Sequence, residues 1–165
     1  MSKLRLPGGQ GIYTLVIGVG HPVRVEVGRR GCVDFAEGVY TYTGSALGKS
    51  TSLKARISRH LASGKKRMRW HIDYLLSSED VSVRAVVYFE TRFRGECQVA
   101  KGLGRLAEVP VRGFGSSDCG GGCASHLHYF PNLSLEETIS RVINVYGRVF
   151  DDALATVFRV SEQDE

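Results

Sequence analysis

The order in which strand and helix patterns follow one another is the feature that most limits the fold of this chain. Gly11–Val19 is rich in β-branched and aromatic residues, and Val23–Val27 alternates apolar with charged residues, so each segment predicts a strand. Residues 20–22 interrupt the pattern between them, which indicates a hairpin. A third strand is predicted over Val39–Thr43, stopped by Gly44.

Helical patterns follow these strands. Leu53, Ile57 and Leu61 repeat at four-residue spacing, which predicts a helix with one apolar seam, and a serine or threonine at 50–52 can cap its start. Gly64 is expected to end this helix. The remaining predicted elements are a short helix at 70–76, a strand at 81–89, a helix at about 95–106, a glycine- and serine-rich loop at 113–122, a short strand at 125–130, a helix opened by the capping-box pattern at 134–137, and a strand at 155–160.

Strands that come early in a run, with helices after them, favour an α+β fold with a small, mostly antiparallel central β-sheet flanked by helices. A chain of 165 residues fits one domain and can bury a substantial core. The sequence holds no apolar run of about 18 residues and no apolar stretch behind its basic N-terminus, so we expect neither a membrane span nor a secretory signal. We therefore expect a cytoplasmic protein.

The positive charge of the chain is concentrated in one stretch, the basic segment (residues 38–72). It contains eight of the 22 lysines and arginines and none of the 17 acidic residues. A focused basic surface suits the phosphate backbone of a nucleic acid, and a solvated face without a partner is the alternative. The candidate nucleic-acid contacts are Lys49, Lys54, Arg59, Lys65, Lys66, Arg67 and Arg69.

Four side chains on the predicted strands and the first predicted helix could carry acid–base or phosphate chemistry. Tyr13 and Tyr42 lie on neighbouring predicted strands, and a phenol beside a metal or a guanidinium can give up its proton and activate water. Arg56 and His60 stack on one side of their helix, where an arginine fork could hold a phosphate. The alternatives are that the tyrosines only pack in the core, and that Arg56 and His60 form a plain surface pair. Arg59 is expected on the outer face of the same helix.

An acidic residue follows the strand predicted at 81–89. Glu96 lies at the start of the next helix and offers the hard oxygen ligand that Mg²⁺ or Mn²⁺ prefers, because one carboxylate and a phosphate oxygen can suffice for such an ion. A glutamate favoured there only by the field of the helix N-terminus is the alternative.

The glycine-rich loop and the short strand predicted after it carry residue types that bind metals. Cys119, Cys123, His126 and His128 have a spacing loosely compatible with structural zinc, and Asp118 or a thiol elsewhere could add a ligand. Dedicated zinc modules have tighter spacing, so a loop with incidental thiols is the preferred interpretation of this pattern.

Together these residues resemble the GIY-YIG nuclease superfamily. Gly11-Ile12-Tyr13 matches its first triplet, and Tyr42-Thr43-Gly44 matches the second with threonine in the middle. Arg56 lies on the following helix and Glu96 after the next strand, where the family carries its arginine and its metal-binding glutamate. The resemblance covers about 11–106, which would be the core of a single nuclease domain with a C-terminal loop–strand–helix extension at about 107–165.

The remaining sequence resembles a narrower group, a small archaeal and bacterial branch of Uri-type domains that are sometimes joined to a DNA-repair glycosylase. Arg56–His60, Trp70–Leu76 and the loop up to Cys119 carry this similarity. The chain departs from the family in the long separation of its two triplets, and in Ser45, which stands where several members have a lysine. The branch-specific candidates for positioning groups or reading the substrate are His71, Asp73, Ser117 and His126, with structural hydrogen bonding as the alternative.

The resemblance implies a metal-dependent endonuclease that hydrolyses DNA phosphodiester bonds in repair or processing and leaves 5'-phosphate and 3'-hydroxyl ends. Glu96 would bind one Mg²⁺ or Mn²⁺ ion, and Tyr13, helped by Tyr42, would activate or orient water. Arg56 would stabilise charge on phosphorus, and His60 would aid proton transfer or contact phosphate. The alternative function is a non-catalytic nucleic-acid-binding module, in which zinc could stabilise the fold.

Overall fold

The computed structural model describes residues 5–62, 67–117 and 119–161. Its strands and helices are, in chain order, β1 (Gly11–Val19), β2 (Val23–Glu26), β3 (Cys32–Phe35), β4 (Gly38–Ala46), α1 (Leu53–Leu61), α2 (His71–Leu76), β5 (Val81–Glu90), α3 (Glu96–Gly104), β6 (Leu127–Phe130), α4 (Leu135–Val149) and β7 (Thr156–Arg159).

A five-stranded antiparallel sheet in the order β6–β4–β1–β5–β7 forms the centre of the molecule, which confirms the predicted α+β class. Side chains of β1 alternate between two cores. Leu15 and Ile17 pack in the core that contains α1 and α2, whereas Ile12 and Val16 pack in the core that contains α3 and α4. Because both faces of β1 are covered by helices, the strand is apolar along most of its length.

The predicted hairpin between β1 and β2 is wrong. β2 pairs with β3 in a separate two-stranded sheet, through a short 3-10 turn at Gly28–Arg30. Both edges of β1 are taken by the longer strands β4 and β5, which bury it from either side. Alternation within β2 predicts a half-buried strand but carries no information about its partner. β3 was not predicted, since Cys32–Phe35 is only four residues long and mixes polar with apolar side chains.

Two predicted boundaries also change. β4 does not stop at Gly44 but continues to Ala46, because Gly44 stays in register opposite Tyr13. The start of α1 is as predicted, with the Ser52 side chain accepting a hydrogen bond from the Ala55 amide at 3.0 Å. This helix ends at Leu61, and the predicted terminator Gly64 lies outside the described residues.

The residues after 107 complete the sheet and bring the glycine-rich loop onto it. β6 forms one edge of the sheet and β7 the other, while α4 packs against α3 and β1. Phe114 is fully buried, and its carbonyl accepts a hydrogen bond from the His126 amide at 2.9 Å. The loop is therefore anchored beside the carboxyl-terminal end of β4. Within the described ranges, every helix is too short or too polar to cross a bilayer.

Candidate functional site

A hydrogen-bonded phenol and imidazole lie where β1 meets α1. Tyr13 Oη is 2.8 Å from His60 Nε2, and the ring of Tyr42 on the neighbouring strand β4 meets the same imidazole edge-on, with centroids 6.3 Å apart. All three side chains are buried. Tyr13 and Tyr42 lie on the same face of the sheet, and His60 lies on the buried side of α1. Because the apolar seam of α1 packs on this face, the imidazole of His60 contacts the phenols.

Gly44 makes room for this arrangement. A Cβ at position 44 would lie only 2.5 Å from the Tyr13 hydroxyl oxygen, because the phenol crosses β4 directly over this residue. The glycine of the second triplet is therefore explained by steric contact with the tyrosine of the first.

Replacing Gly44 with alanine is expected to destabilise the fold by about 1–3 kcal/mol, because the added methyl group must displace a buried ring. The measurement is urea-induced unfolding followed by circular dichroism. Gly18→Ala is the matched control on β1, since its Cβ would have no contact closer than 3.4 Å. Equal stability of both variants would contradict the steric explanation.

Arg56 is held at the surface beside this buried group. Its guanidinium carbon lies 4.8 Å from the centre of the Trp70 ring, and its Nε donates to the Thr51 hydroxyl at 3.1 Å. These contacts restrict the side chain while leaving it partly exposed. Arg56 therefore presents a positive charge in a restricted position.

Arg56 and Glu96 line the same open cleft, which has a volume of about 620 Å³. Glu96 stands at the first residue of α3, and its side chain is 27% exposed. Its Oε1 atom is 3.0 Å from His126 Nδ1, a contact that becomes an ion pair when the imidazole is protonated. Gly115 of the glycine-rich loop also lines this Arg56–Glu96 cleft and packs against the Tyr42 ring.

The phenols interact electrostatically with both charged residues of the cleft. Burial raises the pKa of Tyr13 well above its usual value, and Tyr42 and Glu96 add to this effect while Arg56 opposes it. Burial likewise raises the pKa of Tyr42, again with a contribution from Glu96 and opposition from Arg56. Both phenols therefore keep their protons at neutral pH, which suits a hydrogen-bond donor better than a free tyrosinate base.

The sequence-predicted catalytic residues thus come together in two layers. Arg56 and Glu96 lie in the cleft, and Tyr13, Tyr42 and His60 lie buried next to it. Their convergence depends on two neighbouring strands, β1 and β4, and on two helices, α1 and α3.

Arg59 does not lie on the outer face of α1, and that prediction is wrong. Its guanidinium donates to both carboxylate oxygens of Asp73, at 2.8 and 2.9 Å, and lies 4.3 Å from the centre of the Trp70 ring. Asp73 is completely buried and also accepts hydrogen bonds from the backbone amides of Arg69 and Trp70. A buried carboxylate requires such a counter-charge, which draws Arg59 inward.

The other branch-specific candidates have different environments. His71 Nδ1 accepts a hydrogen bond from the Gly115 amide at 3.0 Å, and its ring packs against Phe114, so it fastens the glycine-rich loop to α2. Asp73 has the structural role described above. Ser117 is exposed in the loop, and its part in substrate recognition stays a prediction.

Three thiols and one imidazole meet beside the cleft, which three of these four residues, Cys97, Cys119 and His126, help to line. Ligand atoms of Cys97, Cys119, Cys123 and His126 all lie within 4.8 Å of one another, an arrangement that can hold a metal ion. We call this group the Cys97–His126 cluster. Burial acts to raise the pKa of the Cys119 thiol, but hydrogen bonds from the Cys97 thiol and from two loop amides outweigh it and lower the pKa to about 6.

Only part of this cluster is predictable from the sequence. His128 is not in it, because its imidazole lies two residues further along β6, near Gly104 at the end of α3. Cys97 takes its place; the sequence pattern allows a ligand from a thiol elsewhere in the chain but does not identify it as Cys97. Asp118 lies outside the described residues.

The basic segment is only partly described by the structure. Lys49, Lys54, Arg67 and Arg69 have exposed side chains, as a contact surface requires. Lys65 and Lys66 lie outside the described residues. Arg59 is engaged with Asp73, so its predicted contact with a nucleic acid would compete with that ion pair.

Comparison with known families identifies this chain by sequence. It belongs to the family described as Domain of unknown function DUF123, whose profile matches residues 12–148. No curated protein matches the chain. No solved structure matches it either.

Proposed function

We propose that the protein is a metal-dependent endonuclease of the GIY-YIG type, which hydrolyses DNA phosphodiester bonds in repair or processing. The observation that carries this proposal is the convergence of Arg56 and Glu96 in one cleft, next to the buried Tyr13–His60 pair. A cation-binding carboxylate and a guanidinium in the same cleft are the two groups needed to bind and polarise a phosphate. A DNA substrate is also consistent with the cytoplasmic location expected from the sequence.

Glu96 fits a hard cation such as Mg²⁺ or Mn²⁺. Its carboxylate is partly exposed to the cleft, and only one of its oxygens is engaged in the contact with His126. The remaining oxygen, together with water and a substrate phosphate, would suit one ion of this class. A bound divalent cation would supply charge neutralisation at the leaving 3' oxygen.

Arg56 would stabilise negative charge that builds up on the phosphate during hydrolysis. The Trp70 ring and the Thr51 hydroxyl orient its guanidinium before substrate binds, so little conformational entropy remains to be lost. The exposed cations Lys49, Lys54, Arg67 and Arg69 would contact the backbone on either side.

Tyr13 would accept the proton of the attacking water while its own hydroxyl proton passes to His60. The raised pKa of Tyr13 keeps its hydroxyl protonated, and its 2.8 Å hydrogen bond to His60 gives a path along which a proton can pass. Tyr42 lies against the same imidazole and would help to orient it. Hydrolysis of the GIY-YIG type, which the sequence resemblance implies, would leave 5'-phosphate and 3'-hydroxyl ends.

The proposal is tested with a panel of end-labelled DNA and RNA substrates in single-stranded, duplex and branched forms, incubated with Mn²⁺ or with EDTA. We expect cleavage of at least one DNA form with Mn²⁺ and none with EDTA. End-group analysis with phosphatase and ligase should detect 5'-phosphates. Equal cleavage with EDTA, or products with 3'-phosphates, would contradict the mechanism.

A nucleic-acid-binding module without catalysis is the second candidate. It is favoured by the deep burial of both phenols, which keeps them from direct contact with a substrate in this structure. Metal-dependent retention of DNA in a gel-shift assay, without any product across the whole panel, would support this second function and remove the first.

A further inference from the structure

We propose that the Cys97–His126 cluster binds one structural zinc ion, which fastens the glycine-rich loop to the first turn of α3. This assignment rests on the geometry of the cluster and does not depend on nuclease activity.

The spacing of the ligand atoms fits a tetrahedral site. In such a site with zinc–sulfur bonds of about 2.3 Å, neighbouring ligand atoms lie about 3.7 Å apart. The four ligand atoms here lie within 4.8 Å of one another. An ion would therefore need to draw them together by about 1 Å at most.

The loop is shaped to bring its thiols to α3. A Cβ at Gly121 would lie 2.5 Å from the Cys97 sulfur, so only glycine allows the backbone to pass so close to this thiol. The backbone amides of Gly121 and Cys123 donate to the Cys119 sulfur. Amide donors around a sulfur atom stabilise its ligand form, the thiolate.

His126 supplies the strongest indication of a missing ligand. Its imidazole is only 3% exposed, and both ring nitrogens are buried without a well-formed hydrogen bond, although Nδ1 faces Glu96 and the ring interacts with the Cys119 thiol. Because Nδ1 is the atom that faces Glu96, we assign Nε2 as the metal-binding atom. Histidines bound to metals commonly direct their second nitrogen at a carboxylate, which is the position that Glu96 occupies.

The chemistry of the donors selects zinc. Three thiolates and one imidazole form a soft ligand set that suits Zn²⁺, whereas Mg²⁺ and Mn²⁺ prefer oxygen. The cluster and the free Glu96 oxygen would therefore bind different classes of ion. One consequence rests on the proposed function: the zinc site would position Glu96 through His126 without taking part in hydrolysis.

The experiment measures metal content of the full chain purified under reducing conditions, with Cys97→Ser and Cys123→Ser as test variants. Cys32→Ser is the matched control, because Cys32 is an exposed thiol on β3 outside the cluster. We expect about one zinc per chain in the wild type and in the control, and a near-complete loss in both test variants.

Cobalt substitution of the wild type keeps the proposal testable if the serine variants do not fold. Bound Co²⁺ should show the intense thiolate charge-transfer absorption of a tetrahedral site, and the same spectrum should appear with Glu96→Gln. Absence of both zinc and this absorption, stoichiometric iron instead, or a disulfide within the cluster under reducing purification would overturn the assignment. Since these readouts need no nucleic acid, failure of the zinc site and failure of the nuclease proposal are distinguishable.

Discussion

Arg56→Ala is expected to lower the rate of DNA cleavage by about 100- to 1000-fold, the usual effect of removing one group that stabilises charge in a transition state. The guanidinium lies in the cleft with Glu96 and is restrained by Trp70 and Thr51, so no flexible lysine or water can replace its geometry. Single-turnover cleavage of the preferred substrate gives the rate directly. Circular dichroism establishes that the variant remains folded.

Arg141→Ala is the matched control for this loss. Arg141 is an exposed arginine on α4 and is not among the residues that line the cleft, so it has the same chemistry away from the site. We expect the control to cleave at the wild-type rate. An Arg56→Ala protein that folds and cleaves as fast as Arg141→Ala would show that Arg56 has no catalytic role.

Asp73→Asn is expected to destabilise the fold by about 3–5 kcal/mol, because it leaves the guanidinium of Arg59 without its buried counter-charge. The carboxylate of Asp73 is completely buried and accepts four hydrogen bonds, two from Arg59 and one each from the amides of Arg69 and Trp70. The free energy of unfolding in urea measures the effect at neutral pH.

Asp34→Asn is the control for the loss of a carboxylate. Asp34 pairs with Arg24 on the small sheet, but both side chains are about 70% exposed, so this substitution should leave the free energy of unfolding nearly unchanged. Similar stability losses in the two variants would mean that burial of the Asp73–Arg59 pair is not what stabilises this region.

The same carboxylate should limit stability in acid. Burial raises the pKa of Asp73, but Arg59 and the two backbone amides outweigh this effect and hold the pKa below its usual value. A carboxyl group whose folded-state pKa is depressed stabilises the protein above its unfolded-state pKa, and this contribution is lost as the pH falls through the folded-state value. The free energy of unfolding of Asp73→Asn, measured in urea at a series of pH values, should therefore decrease less steeply in acid than that of the wild type.

Local patterns predicted those parts of the fold that short-range contacts determine. The Leu53–Ile57–Leu61 seam and the Ser52 cap define α1, because both depend on residues within one or two helical turns. The partner of β2 was mispredicted, since periodicity shows which side of a strand is buried but not which strand lies beside it.

The placement of the candidate site residues was predictable where it follows from their order in the sequence. It was not predictable where contacts between distant parts of the chain determine it. The order of Tyr13, Arg56 and Glu96 resembles that of the GIY-YIG motif, and the fold brings the three residues to one region, while their catalytic roles stay predictions. Helical spacing predicted that Arg59 lies on the outer face of α1, because the sequence does not show that the buried carboxylate of Asp73 on α2 lies within its reach. Cys97 joined the metal cluster unexpectedly for the same reason, since α3 meets the glycine-rich loop only in the folded chain.

We propose that Glu96 holds a divalent cation in the cleft that Arg56 also lines. Single-turnover cleavage over a range of Mn²⁺ concentrations, with wild type and Glu96→Gln purified in parallel, tests it most directly. We expect saturable, Mn²⁺-dependent cleavage by the wild type and a loss of at least about 100-fold in a folded Glu96→Gln protein that keeps its zinc. Mn²⁺-dependent cleavage at an undiminished rate by Glu96→Gln would contradict the claim.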